Sequence, residues 1–317
     1  MSKRESPRRY GRLLLIAVAV GVLALGAGVV SLVVLRPLTI FETMERLGLR
    51  WAGLERREVS GPRGPQAYWR GGSGPVAVFL HGANDNAATW VRVARPLMAR
   101  HRLVLVDLAG HGDSAPKNGP LGVGDLLAGV EAVVGAEAAD GRVTLVGNSL
   151  GGWLALVYAR KHPDRVADVV LVNGAAVRGD GTEATPNLLP RNREEARQAL
   201  DATTSPASPR MPGFVLDDLV RRSAASPLAR LMASPPADQL ALDGHLQEVQ
   251  TPVTLIWGAD DRVLPVAYAR RVAAALPAAR LELLERCGHV PQRECPDRLL
   301  AALQEALGEP PAPPKHP

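Results

Sequence analysis

The segment Gly147-Asn148-Ser149-Leu150-Gly151 leaves the backbone very few paths. It follows Arg142-Val-Thr-Leu-Val146, a short apolar and β-branched run, and precedes Gly152-Trp-Leu-Ala-Leu-Val-Tyr-Ala159, good helix formers with no breaker until Pro163. A strand must therefore turn into a helix within a few residues. On so tight a turn the positions two before and two after the serine need glycine, because side chains there collide with neighbouring backbone. The serine oxygen is left exposed above the sheet.

The same alternation runs through the chain. Strand patterns at 76–80, 102–107, 142–146, 167–172, 252–257 and 280–284 are separated by helical patterns at 86–99, 122–135, 151–161, 265–276 and 296–307. This predicts an α/β fold, a doubly wound, mostly parallel sheet with both faces covered. Glycine-rich turns at 61–65 and 71–75 bracket one more short strand at 66–70. The interval of about 75 residues between Asn173 and Gln247 is too long for a simple connection. Its helix-start signals, Asn192-Arg-Glu-Glu195 and Ser226-Pro227, predict a helical cap inserted over the site. Leu188, Leu189, Met211, Phe214, Val215, Leu219, Leu228, Leu231 and Met232 in this interval either line an apolar pocket or pack cap on core.

Three further segments accompany the serine turn. Val76-Ala-Val-Phe-Leu80 ends in His81-Gly82-Ala83. Pro252-Val-Thr-Leu-Ile-Trp257 ends in Gly258-Ala-Asp-Asp261, and Arg280-Leu-Glu-Leu-Leu284 leads to Cys287-Gly-His289-Val-Pro. With these motifs the chain resembles the α/β-hydrolase superfamily over roughly residues 70–307, in the chain order nucleophile, acid, base. The resemblance implies Ser149 as nucleophile, Asp261 as acid and His289 as base. Asp261 is preferred to Asp260 because the family's acid lies three residues after the glycine ending this strand, here Gly258. It also implies an oxyanion hole from the backbone amides of Ala83 and Leu150. Asn148, Phe214 and Val215 are candidates for contacting substrate. His81 and His111 are read as structural, and Asn84, Asp85 and Asn86 as caps of the following helix.

Within the superfamily, His81-Gly-Ala-Asn-Asp-Asn-Ala-Ala-Thr-Trp90 and Asp107-Leu-Ala-Gly-His-Gly-Asp-Ser114 resemble membrane-anchored bacterial lipases and monoacylglycerol lipases. Asn148-Ser149 resembles the carbon–carbon bond hydrolases of aromatic degradation. The expected activity is hydrolysis of a carboxylic ester through an acyl-enzyme on Ser149, with a hydrophobic ester or lipid as substrate. A carbon–carbon bond hydrolase is the alternative, and a non-catalytic homologue that binds a ligand in the same pocket is a third reading. A serine at 149 argues against dehalogenases and epoxide hydrolases of this fold, which resemble it but carry aspartate there. No cofactor or metal is implied, since neither a nucleotide-type glycine loop nor a ligand spacing occurs.

Residues 13–35 contain 23 residues without a charge, about 35 Å as a helix and enough to cross a bilayer core. They predict one uncleaved transmembrane signal anchor behind a basic tail at 1–12. The net charge of +5 is accounted for by Lys3, Arg4, Arg8, Arg9 and Arg12, so no basic face points to nucleic acid. These five residues against Arg36, Arg46 and Arg50 after the span put the N-terminus in the cytoplasm and the catalytic domain outside. Residues 36–60 read as an amphipathic connector with Ile40, Phe41, Met44, Leu47 and Trp51 on one face, either packed on the hydrolase body or resting in the membrane interface. The core spans 61–174 and 248–308, the cap 175–247, and a proline-rich disordered tail 309–317. Cys287 and Cys295 are read as free thiols, with a disulfide as the alternative outside the cytoplasm. Nothing in the sequence sets the oligomeric state.

Overall fold

The computed structural model describes residues 18, 20–22, 26, 28, 30–138, 141–177, 186–235, 240–277 and 279–308. The basic tail, most of the 13–29 portion of the expected anchor, and the proline-rich tail lie outside the described residues. Among the described residues no helix is long and apolar enough to cross a membrane.

One eight-stranded sheet organises the chain. Its strands are β1 (Glu55–Gly61), β2 (Gly64–Gly71), β3 (Val76–Leu80), β4 (Arg102–Val106), β5 (Val143–Ser149), β6 (Val166–Gly174), β7 (Val253–Gly258) and β8 (Arg280–Leu284), in the spatial order β1-β2-β4-β3-β5-β6-β7-β8. β1, β2 and β4 pair antiparallel, and every pairing from β4 through β8 is parallel. The helices are α1 (Pro37–Ala52), α2 (Val91–Leu97), α3 (Val123–Glu137), α4 (Leu150–Lys161), α5 (Arg193–Thr203), α6 (Gly213–Ser223), α7 (Pro227–Met232), α8 (Val266–Ala275), α9 (Pro291–Glu294) and α10 (Pro296–Ala306).

The apolar strands divide their side chains between two cores with period two. Val78, Leu80, Val104, Val106 and Leu145 face the core covered by α3, α4 and α8. Ala77, Phe79, Leu103, Leu105 and Val146 face the opposite core, covered by α1, α2 and α10. Between β6 and β7 stand α5, α6 and α7, in the interval read as a cap.

Three expectations need correction. The connector at 36–60 is not one element, since Glu55–Gly61 is a sheet strand. Its Glu-Arg-Arg-Glu pattern hides it because an edge strand with both faces exposed needs no apolar alternation. The expectation of free thiols is also overturned: Cys287 and Cys295 are disulfide-bonded with Cα atoms 6.0 Å apart. The short helix α9 folds the intervening chain back so that the two meet.

The third correction concerns only one of the two placements left open for α1, that its apolar face packs on the body: apart from half-buried Ile40 that face is turned outward. Glu45 and Leu49 are buried, whereas Phe41, Met44, Leu47 and Trp51 are exposed. The inward polar residues are held by partners on the body. Glu42 accepts from Arg222 of α6, Arg46 pairs with Asp113 at 2.7 Å, and Glu45 pairs with Arg293 at 2.8 Å.

Candidate active site

β3 is flanked by β4 on one side and β5 on the other, so successive connections leave its end in opposite directions. The crevice opened at such a point is where ligands bind in doubly wound sheets. Leu80 at the end of β3 lies beside Gly147 of β5, which brings the His81-Gly82-Ala83 loop next to Ser149.

Ser149 occupies the junction of β5 and α4 with φ 51° and ψ −119°, a strained conformation for a side-chain-bearing residue and one concentrated at functional turns. The flanking glycines are sterically required. A Cβ on Gly147 would sit 2.3 Å from the Gly151 carbonyl oxygen, and one on Gly151 would sit 2.3 Å from that of Leu80. Gly152 is equally constrained, at 2.5 Å from the Cα of Gly174.

The acid and base loops follow β7 and β8 and meet at the same C-terminal edge of the sheet as the serine turn. Asp261 Oδ2 and His289 Nδ1 are 2.8 Å apart, and both residues are buried. A carboxylate only accepts, so Nδ1 carries the proton and Nε2 is left as the basic nitrogen. Three more donors hold the same carboxylate. The Asn173 amide donates to Oδ2 at 2.6 Å, while the amides of Val263 and Leu264 donate to Oδ1 at 2.8 and 2.9 Å. Asp260 instead accepts from the Ser205 hydroxyl at 2.5 Å, away from the histidine. The two loops are zipped together by the Asp260 amide donating to the Cys287 carbonyl at 2.8 Å.

The serine turn is tied to the histidine loop through its neighbour. Asn148 Nδ2 donates to the carbonyls of Val172 at 2.8 Å and His289 at 3.0 Å, and its Oδ1 accepts from Gln292 at 3.2 Å. Asn148 is thus committed to the protein on both ends of its amide. It braces β5, β6 and the histidine loop. Phe214 and Val215 lie half-buried on α6, at the start of that helix.

Ala83 and Leu150 stand on the two sides of the crevice, after β3 and at the first position of α4. Neither amide donates to another loop carbonyl among the described residues. His81 secures the Ala83 loop from beneath. Its Nδ1–H donates to the Gly82 carbonyl at 2.7 Å, and its Nε2 accepts from the Leu108 amide at 3.0 Å. Burial lowers the His81 pKa and pushes that of His111 down to about 3, so both stay neutral and structural. Asn86 caps the turn that follows by accepting from the Ala88 amide. Asn84, at φ 58°, turns instead to the cap and accepts from the Leu228 amide at 2.9 Å.

Arg293, four residues past His289, was not singled out by any motif. Its guanidinium donates to Glu45 of α1 at 2.8 Å and to Asp85, two residues past Ala83, at 2.9 Å. One cation thereby joins α1, the Ala83 loop and the histidine loop. Burial opposes its charge, but Asp85 and Glu45 outweigh that and raise its pKa above the usual arginine value. Burial raises the Glu45 pKa, and Arg293 partly offsets it.

A cavity of about 530 Å³ opens beside the Ala83 loop. Leu38 and Phe41 of α1 form one wall, Asn84 and Asp85 another, and Leu188 and Leu219 from the cap interval a third. A second, of about 270 Å³, is lined by Trp153 behind the serine turn and by Leu231. The apolar cap residues therefore divide between separate cavities, and Met211 lines a third of about 230 Å³ next to α5.

A family profile described as "Alpha/beta hydrolase family" matches residues 77–302. An uncharacterised protein of Mycobacterium tuberculosis is 31% identical over 278 residues, 80% of this chain and 81% of its own. A 2-hydroxy-6-oxononadienedioate/2-hydroxy-6-oxononatrienedioate hydrolase of Burkholderia vietnamiensis is 32% identical over 255 residues, 73% of this chain and 86% of its own. Among solved structures, that of a membrane phospholipase A, a bacterial virulence factor, superposes with a TM-score of 0.73 at 31% identity. It covers 94% of this chain and 98% of the other.

Proposed function

The chain belongs to the alpha/beta hydrolase family, and on that premise we propose that it is a membrane-anchored serine hydrolase of carboxylic esters, lipase-like in substrate, acting through an acyl-enzyme on Ser149. The observation that carries this reading is the buried Asp261–His289 pair at 2.8 Å, joined to the strained serine turn through Asn148. Likeness to the membrane phospholipase A supports a lipid substrate over a soluble one.

A serine hydroxyl is a poor nucleophile at neutral pH, so His289 Nε2 takes its proton as Oγ attacks the ester carbonyl. Asp261 holds the imidazole tautomer and stabilises the imidazolium that forms. The Ala83 and Leu150 amides receive the oxyanion, His289 protonates the departing alcohol, and water then repeats the sequence on the acyl-enzyme.

Residues 13–35 serve as the anchor, with the N-terminus in the cytoplasm and the catalytic domain outside. The Cys287–Cys295 bond supports that side, because disulfides persist in oxidising compartments.

The test is turnover of a p-nitrophenyl ester series by the full chain in detergent, beside Ser149→Ala, with a ring-cleavage dienone in parallel. Ester turnover that disappears in the variant is the expected result. The carbon–carbon bond relatives give the alternative its weight, and dienone turnover without ester turnover would move the assignment there. Silence on both from folded protein would favour a binding role.

A further inference from the structure

The four apolar residues that α1 turns to solvent are not scattered. Phe41, Met44, Leu47 and Trp51 recur at three- and four-residue spacing on one face, exposed by 41%, 66%, 39% and 83%. An amphipathic helix on a globular body normally buries that face. Here the opposite face is buried, and its acids and Arg46 are each matched by a charge on the body. Those pairings fix the helix orientation, so the apolar face cannot be turned inward without breaking them.

We propose that this face of α1 docks on the bilayer surface, lying in the plane of the membrane and setting the mouth of the neighbouring cavity against lipid. The proposal rests on the anchoring given above. Three observations select a lipid surface rather than another protein. Only Arg36 separates the uncharged residues 13–35 from Pro37. If that span is in the bilayer, the 16 residues of α1 reach no more than about 24 Å from its edge. Second, exposed apolar side chains stand on both sides of the junction, since Val30, Leu32, Val33, Val34 and Leu35 are themselves exposed. Third, Phe41 and Leu38 form the wall of the 530 Å³ cavity whose far side is the Ala83 loop. A helix seated about 5–10 Å into the headgroup region would let a lipid chain pass along Phe41 toward Asn84 without entering water.

Trp51 is a built-in reporter, because it is the most exposed tryptophan at 83%, Trp69, Trp90 and Trp257 are buried and Trp153 is half-buried. The full chain is reconstituted into phosphatidylcholine vesicles whose acyl chains carry bromine at shallow or deep positions, and Trp51→Phe supplies the background. Expected is quenching of the Trp51 signal by shallow bromines more than by deep ones, with protection from aqueous iodide. Met44→Ser with Leu47→Ser should weaken the quenching and lower turnover of lipid in the same vesicles by about tenfold, while turnover of a water-soluble short-chain ester is unchanged.

Trp51 open to iodide overturns the proposal, and so does Trp51 shielded from iodide but untouched by bromine, the signature of a second copy or another protein on this face. Vesicle flotation of the same samples reports the anchor separately. The Ser149→Ala chain should give the same quenching, so a failure of the ester chemistry leaves this signal intact.

Discussion

Replacing Arg293 by glutamine removes a group that bridges α1, the Ala83 loop and the histidine loop. Glu45 and Asp85 then face each other with their shared cation gone, although Arg92 still acts on Glu45 from a distance. Leaving a buried charge without its partner costs about 3 kcal/mol at the lower end of measured cases. For a chain of this size that lowers Tm by roughly 6 °C.

The loss should depend on pH. Burial already raises the Glu45 pKa above 4.5, and Arg293 is the main influence pulling it back, so the variant's Glu45 pKa rises further. A carboxyl whose pKa is raised on folding favours the folded state fully below its unfolded value, and that contribution is lost as pH rises through the folded value. The gap in Tm between the native chain and Arg293→Gln should therefore be widest at pH 8 and shrink toward pH 5. Asp85 lies two residues past Ala83, so the loosened loop should also cut kcat on a water-soluble ester by about tenfold with KM nearly unchanged. Thermal unfolding by circular dichroism at the two pH values, with steady-state kinetics at pH 8, measures both. An equal Tm loss at both pH values and an unaltered kcat would refute the reasoning and reduce Arg293 to a packing residue.

Asp261→Asn should lower kcat by about 10⁴ through the wrong imidazole tautomer, whereas Asp260→Asn, which loses only the Ser205 contact, should stay within about tenfold; ester kinetics separate them. Replacing both Cys287 and Cys295 by serine reopens an eight-residue separation and should cost about 2.5 kcal/mol, seen as a Tm lower by roughly 5 °C that no longer responds to reductant. Gly152→Ala drives a methyl into the backbone of Gly174 and should destabilise by at least about 2 kcal/mol, measured as a lower denaturation midpoint with an unchanged m-value.

The inner parallel strands were legible because they are largely buried on both faces and so read as continuous apolar runs, whereas β8, at the far edge, is only partly buried. Serine turn, acid and base were legible because each follows a strand at a fixed short distance. β1 was not, since an edge strand exposed on both faces carries no apolar signature. The facing of α1 was hidden for a related reason. Its periodicity announced an apolar stripe, but whether that stripe turns in or out is set by Arg222, Asp113 and Arg293, which arrive from distant parts of the chain. Asn173 was equally invisible. It ends a strand like many others, and only the sheet order puts its amide on Asp261.

Among the points where the cap interval touches the machinery are the Leu228 amide on Asn84 and the His289 amide on the Thr203 carbonyl at 2.8 Å. A lid hinged independently of the core would have neither. Lifting this segment off the core would take a restraint from both the loop bearing Ala83 and the loop bearing the base. Exchanging the segment for a relative's, in the hope of altering chain-length preference alone, will therefore alter turnover as well: in this chain selectivity and rate are written on the same residues.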